Sequence, residues 1–303
     1  MIAIALLAAT VGPTRPAAAL PDGPHAVWLG HGWVNGTPEQ PLPELLDLLQ
    51  QNDVGILIVN LGRLDEHGRN EDRSATLKRW LDGVAAWEQK HGHRFELWAW
   101  LSAKTSRTNL LDPAVRQAIV DEARSQLAVR GPGGRGFDGI LTDIEPVGLD
   151  EARFQAYLEL VAALQAAAGS GRTVAVAAPR YSPQPPTSWF WGPAEFARMA
   201  EQADALVVST YNTGMSNEPG VTGHDYAAWI EQQVRDILAA VAPTARPGFR
   251  LYLSAPAYPP LVHANGSISH DPGVENVRYA VRGIRRAAAA LSAAGAPELQ
   301  HLA

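Results

Sequence analysis

Two carboxylates, Asp143 and Glu145, close a short apolar run that reads GFDGILTDIEP over residues 136–146. Side chains in a strand alternate faces, so residues two apart project to the same side. Ile140, Leu141 and Ile144 make the run apolar enough to lie inside a sheet, and Gly136, Gly139 and Pro146 punctuate its ends. A carboxylate is costly to bury without a purpose. The chemistry open to such a pair is proton transfer. Hydrolysis of a glycosidic bond needs a donor held near the leaving oxygen, and a neighbouring carboxylate is one way to keep that donor protonated near neutral pH. Glu145, nearer the strand end, is assigned the general acid, and Asp143 the group that sets its pKa. The competing reading is structural, with both acids accepting hydrogen bonds from adjacent strands.

The elements that must hold these acids repeat along the chain. Strand patterns occur at 26–34, 54–64, 95–103, 139–146, 173–180, 205–212 and 249–258, and helical patterns at 42–51, 76–90, 112–128, 150–168, 192–202, 226–240 and 274–294. Such alternation predicts βα units with parallel strands. The expected fold class is α/β, a (β/α)8 barrel lacking its eighth strand in this chain, with the acids at the catalytic rim. An open doubly wound sheet is the runner-up, but no glycine-rich phosphate fingerprint follows the first strand. No linker divides the barrel, taken as one domain over 20–303. The Pro- and Trp-rich passage 181–191 and the loop 212–225 both fall on the rim that carries the acids.

The chain has 303 residues, 46% of them hydrophobic, and a formal net charge of -6, so a large core is available and nothing attracts nucleic acid. Nine tryptophans tilt the reading toward a carbohydrate ligand, since indole faces stack on sugars as well as filling cores. Residues 2–12 form an apolar stretch of signal-peptide length, followed by Ala17-Ala18-Ala19, although no Lys or Arg precedes it. Residues 1–19 are therefore expected to be an export signal too short to span a bilayer. The mature protein is expected to be a secreted or periplasmic monomer without stable membrane insertion. With no cysteine, packing alone stabilises it.

Here the sequence resembles glycoside hydrolase family 18. Residues 138–145 are similar to that family's strand-four signature, DxxDxDxE, with Asp138, Asp143 and Glu145 on the first, third and last acidic positions and Leu141 replacing the second. STYN at 209–212 resembles the strand-six pattern MxY[DN], LSAPAY at 253–258 the strand-seven LGxPxY, and VAVAAP at 174–179 strand five. The chain looks equally close to bacterial proteins of unknown role that carry a DGxxxDIEP strand. The resemblance implies a chitinase-like TIM barrel in which Glu145 is the proton donor and Asp143 orients an N-acetyl group whose carbonyl is the nucleophile. It also gives Tyr211 a hydrogen bond to that group, and Asn212 the neighbouring polar position.

Further substrate-binding candidates are Asp138, His31 and Trp33 after strand one, Asn60 at the end of strand two, Trp100 on strand three, Arg180 and Tyr181 after strand five, and Tyr258 after strand seven. Asn60 and Arg63 are expected on opposite faces, leaving Asn60 as the inward one. Trp98 and Trp100 share a face, with Trp98 the core residue and Trp100 the sugar platform. Neither zinc spacing among the histidines nor a GxSxG elbow occurs, so no metal, cofactor or serine nucleophile is expected. The function predicted is cleavage of a β-linked polysaccharide or glycoconjugate, with N-acetylated sugars as what the resemblance implies. The alternative is a carbohydrate-binding barrel without turnover, and a lyase or isomerase on the same barrel is a third possibility.

Overall fold

The structure, a computed structural model, describes residues 25–35, 41–71, 74–146, 150–184, 189–215, 218–262 and 268–303. In chain order the elements are β1 (His25–Leu29), α1 (Gly32–Asn35), α2 (Leu42–Gln51), β2 (Val54–Arg63), α3 (Ser74–His91), β3 (Glu96–Lys104), α4 (Pro113–Ala128), β4 (Gly139–Glu145) and α5 (Glu151–Ala168). There follow β5 (Thr173–Ala178), β6 (Arg180–Tyr181), β7 (Phe190–Trp191), α6 (Pro193–Ala200), β8 (Ala205–Ser209), α7 (Gly223–Val241), β9 (Arg250–Ser254), α8 (Val277–Ala293) and a 3-10 turn, Pro297–His301. The expected export signal over 1–19 lies outside the described residues.

One seven-stranded sheet, ordered β1-β2-β3-β4-β5-β8-β9, carries the fold, and every pairing in it is parallel. Leu302 bridges to Leu251 in parallel, and Ala303 N donates to Leu251 O at 3.1 Å, which starts an eighth position beside β9. The architecture is thus the curled α/β barrel that the βα alternation predicts, seven strands being formed among the described residues.

Strands covered on both faces need two apolar sets, and alternation supplies them. Leu57, Val59, Leu97, Ile140, Val176 and Leu206 pack toward the helices. Ile56, Ile58, Trp98, Leu141, Ala175, Val207 and Tyr252 fill the barrel axis. Below that plug Glu96 Oε1 accepts from Trp98 Nε1 (2.7 Å), Thr173 Oγ1 (2.9 Å) and Arg250 Nη2 (3.2 Å). Burial alone would raise the Glu96 carboxyl, but these donors and the Arg250 charge hold it below the usual range.

Caps set the helix starts. Asp112 and Asp150 accept from Ala114 N and Ala152 N, and Thr222 with Asp225 forms a capping box on α7. Gly223, inside that first turn, lies against the Tyr279 ring of α8, where a side chain would overlap it. Three strand ends come early. The first strand stops at Leu29 because Gly30-His31 turns the chain into α1, the sixth stops at Ser209 rather than residue 212, and the seventh stops at Ser254 rather than running to residue 258.

Candidate active site

Register fixes what meets at the carboxyl ends of β2, β3 and β4. Ser102 pairs with Asp143 and Lys104 with Glu145, while Leu141, two residues below Asp143, belongs to the axial plug. Gly139, Leu141, Asp143 and Glu145 therefore share the axial face, with Asp143 half-buried and Glu145 exposed at the rim. Asp143 Oδ2 accepts from Trp100 Nε1 at 2.8 Å, and the Trp100 ring meets Trp28 edge-on at 4.6 Å.

Burial first, and then the nearby Glu145 charge, push the Asp143 carboxyl up to about 7; the Trp100 hydrogen bond and the Arg63 charge oppose them. Burial also raises Glu145, against the pull of Lys104. The Glu145 side chain reaches solvent, which limits that upward push. Burial raises both carboxyls and the Glu145 charge raises Asp143 further, so the two titrate as a pair biased toward its protonated forms.

Tyr211 follows β8, and its phenol is raised first by burial, then by Tyr258, with Glu145 and Asp143 adding to the effect, which places it toward the acids. Its ring meets Tyr258 edge-on at 6.0 Å. Asn212 adopts a left-handed conformation (φ 52). Its Oδ1 accepts from Tyr258 Oη (3.3 Å) and lies 3.1 Å from His270 Nδ1, while its carbonyl accepts from Arg180 Nη1 (2.8 Å). Beneath this shell the fully buried Glu275 accepts from Thr213 N and Thr213 Oγ1. Asn212, Tyr258 and Arg180 thus form one wall beside Tyr211.

Several expected site residues lie elsewhere. Asp138 sits at the opposite end of β4, where Arg94 Nη2 (2.7 Å) and Leu97 N (3.0 Å) donate to it and Arg135 Nη2 lies at 2.9 Å; seven residues of strand separate it from Glu145, roughly 23 Å. Trp33 is in α1 and packs against the helix-side core, away from the barrel axis. His31 is exposed in the turn before it. Tyr181 turns outward: its backbone exchanges hydrogen bonds with Gln233 of α7 and its ring approaches Phe196. Asn60 faces the axis, but its Oδ1 accepts from Gly62 N at 2.7 Å and so braces its own strand.

That brace marks the largest departure from simple alternation. Asn60 pairs with Trp100 and Arg63 with Ser102, so three steps of β2 match two of β3. The extra residue is absorbed at Gly62, whose φ of 109° suits glycine. Leu61 and Leu64 consequently both face the helices, and Arg63 joins Asn60 on the inner face. Sequence reasoning also missed Trp28, Lys104, His270 and Glu275. Trp28 was legible, two residues after Ala26 on the same face.

A cavity of about 340 Å³ opens at the other end of the sheet, lined by Arg246, Phe249, Arg250, Gln300 and His301. Its cations are already engaged, Arg246 with Gln202 O and Asp204 and Arg250 with Glu96, so the acid pair is the better site. Among the described residues no group of three His, Cys, Asp or Glu side chains is placed to hold a metal ion, and no helix is long and apolar enough to cross a membrane.

The fold defines the class: a parallel α/β barrel, shared with solved chitinase structures. The C-terminal domain of a chitinase-like protein from Desulfitobacterium hafniense superposes with a TM-score of 0.57 at 17% identity, over 81% of this chain and 71% of that one. A class V chitinase from Pseudomonas fluorescens gives 0.51 at 14% identity over 92% and 94%. The Group IV chitinase of Ostrinia furnacalis in complex with allosamidin gives 0.52 at 14% identity over 75% and 64%. No protein-family model matches the sequence, and no curated protein matches it. The likeness is one of fold.

Proposed function

We propose that the protein is an exported glycoside hydrolase that cleaves a β-linked, N-acetylated glycan at the rim formed by β3, β4 and β8. The observation that carries this reading is the placement of two carboxylates side by side on one strand face at the barrel mouth. Asp143 and Glu145 lie on one face of β4, both raised, in a mouth walled by Trp100, Tyr211 and Tyr258. Glu145, biased toward its protonated form, donates to the glycosidic oxygen as the C1–O bond breaks, leaving its carboxylate to take a proton from the attacking water later. Asp143, ionised at that moment and held by Trp100, accepts from the substrate's acetamido N–H and so aims its carbonyl at C1. Tyr211 supplies a hydroxyl to the same group. Similarity of fold to chitinases supports the substrate class.

Leu141 favours a second reading, a binding barrel without turnover, because an apolar residue stands where the resembling family has a carboxylate. Glu145→Gln separates the two. The hydrolase reading expects loss of at least about a thousandfold in kcat on a chromogenic chito-oligosaccharide, with ligand affinity kept. A parent protein that binds the oligosaccharide and never cleaves a glycan would leave only the binding barrel.

A further inference from the structure

The strand ends that carry the acid pair also carry two cations that the proton-transfer chemistry does not use. Arg63, turned inward by the Gly62 bulge, stands level with Ser102 and through it with Asp143; Lys104 stands level with Glu145. Both side chains are exposed, and neither forms an ion pair with a described residue. Nearby acids are occupied: Asp65 caps its own loop through His67 N and Arg69 N, and Glu66 faces Arg107 at 3.8 Å. Arg63 and Lys104 thus bring two positive charges to the strand ends beside two carboxyls that burial biases toward protonation, inside a chain whose net charge is -6. For general acid catalysis alone these cations are a handicap, because each pulls its neighbouring carboxyl toward ionisation.

We infer that Arg63 and Lys104 form a carboxylate-binding rim, and that the glycan taken by this site carries an acidic group, such as a uronic or lactyl carboxylate, on a sugar beside the cleaved bond. This rests on the hydrolase reading above and names its substrate class. The two requirements reinforce each other. An anion seated between the cations neutralises their pull, so Glu145 keeps its proton most firmly when the charged substrate is bound. Guanidinium is the apt group here, since its planar fork matches a carboxylate in two hydrogen bonds.

The test compares unmodified chito-oligosaccharide with its carboxymethylated form, two substrates of one backbone that differ in charge. The parent protein is expected to favour the carboxymethylated substrate at least tenfold in kcat/KM, the preference shrinking as ionic strength rises from 20 to 500 mM (roughly a Debye length of 20 Å to one of 4 Å). Arg63→Met should cut that preference about tenfold, chiefly through KM, and Arg63→Lys should restore part of it. Lys104→Met, at an exposed position, gives an independent reading should Arg63→Met fold poorly. Equal loss on both substrates in both variants would mean that the cations act only on the acids, and would overturn the inference while leaving the hydrolase reading intact. Failure of the parent to bind or cleave either substrate would remove both.

Discussion

Replacing Trp100 with Phe tests how the acid pair is tuned. Phenylalanine keeps an aromatic ring against Trp28 but removes the indole N–H that donates to Asp143 Oδ2 at 2.8 Å. That bond favours the ionised carboxylate: a hydrogen bond to a charged acceptor contributes about 1.5–3 kcal/mol and one to a neutral acceptor about 0.5–1.5 kcal/mol. The difference, about 1–2 kcal/mol, corresponds to roughly one pH unit. Asp143, already pushed up to about 7, should therefore titrate near 8 in the variant. Carbon-13 NMR of aspartate-labelled protein follows that carboxyl directly, without relying on turnover. In a pH–rate profile the limb of kcat/KM that Asp143 governs moves upward by a similar amount. An Asp143 resonance that titrates unchanged, or at lower pH, would refute the assignment of Trp100 as the group that opposes burial.

Asp143→Asn should stabilise the fold while removing activity. The folded protein holds the Asp143 proton more tightly than the unfolded chain, whose aspartates titrate near 4, so this group's contribution is full below about pH 4 and is lost as pH rises through 7. Asparagine keeps an acceptor for Trp100 and ends that loss; Tm at pH 8 should rise by roughly 2–4 °C, with little change at pH 4. At the far end of the barrel, Arg250→Met leaves Glu96 without its cation, and since both groups are partly exposed the cost should be about 1–3 kcal/mol in a denaturant titration, with glycan turnover retained.

How far the chain could be read without coordinates depended on whether alternation held. It held in β4, so Leu141, Asp143 and Glu145 fall on one face as the sequence predicts. The same alternation excludes Asp138, an even position in a strand whose inward residues are odd; a motif match had outweighed it. In β2 alternation broke. Only the glycine inside an apolar strand signalled that a bulge would bring Arg63 inward beside Asn60. Trp33 was misplaced because Gly30-His31 ends the strand early, a turn that the apolar pattern on either side concealed. His270 and Glu275 were out of reach, since they join the wall through Asn212 and Thr213, about sixty residues away in sequence, with no periodicity to announce them.

The axial plug has a mechanical outcome. Trp98, Leu141 and Tyr252 close the shaft, and the Glu96–Arg250 layer seals it from below, so the interior is a blind well. A polymer cannot thread through such a shaft. On the proposed hydrolase reading the glycan would lie across the opening like a rope over a wellhead, and a released fragment would depart by the route it came.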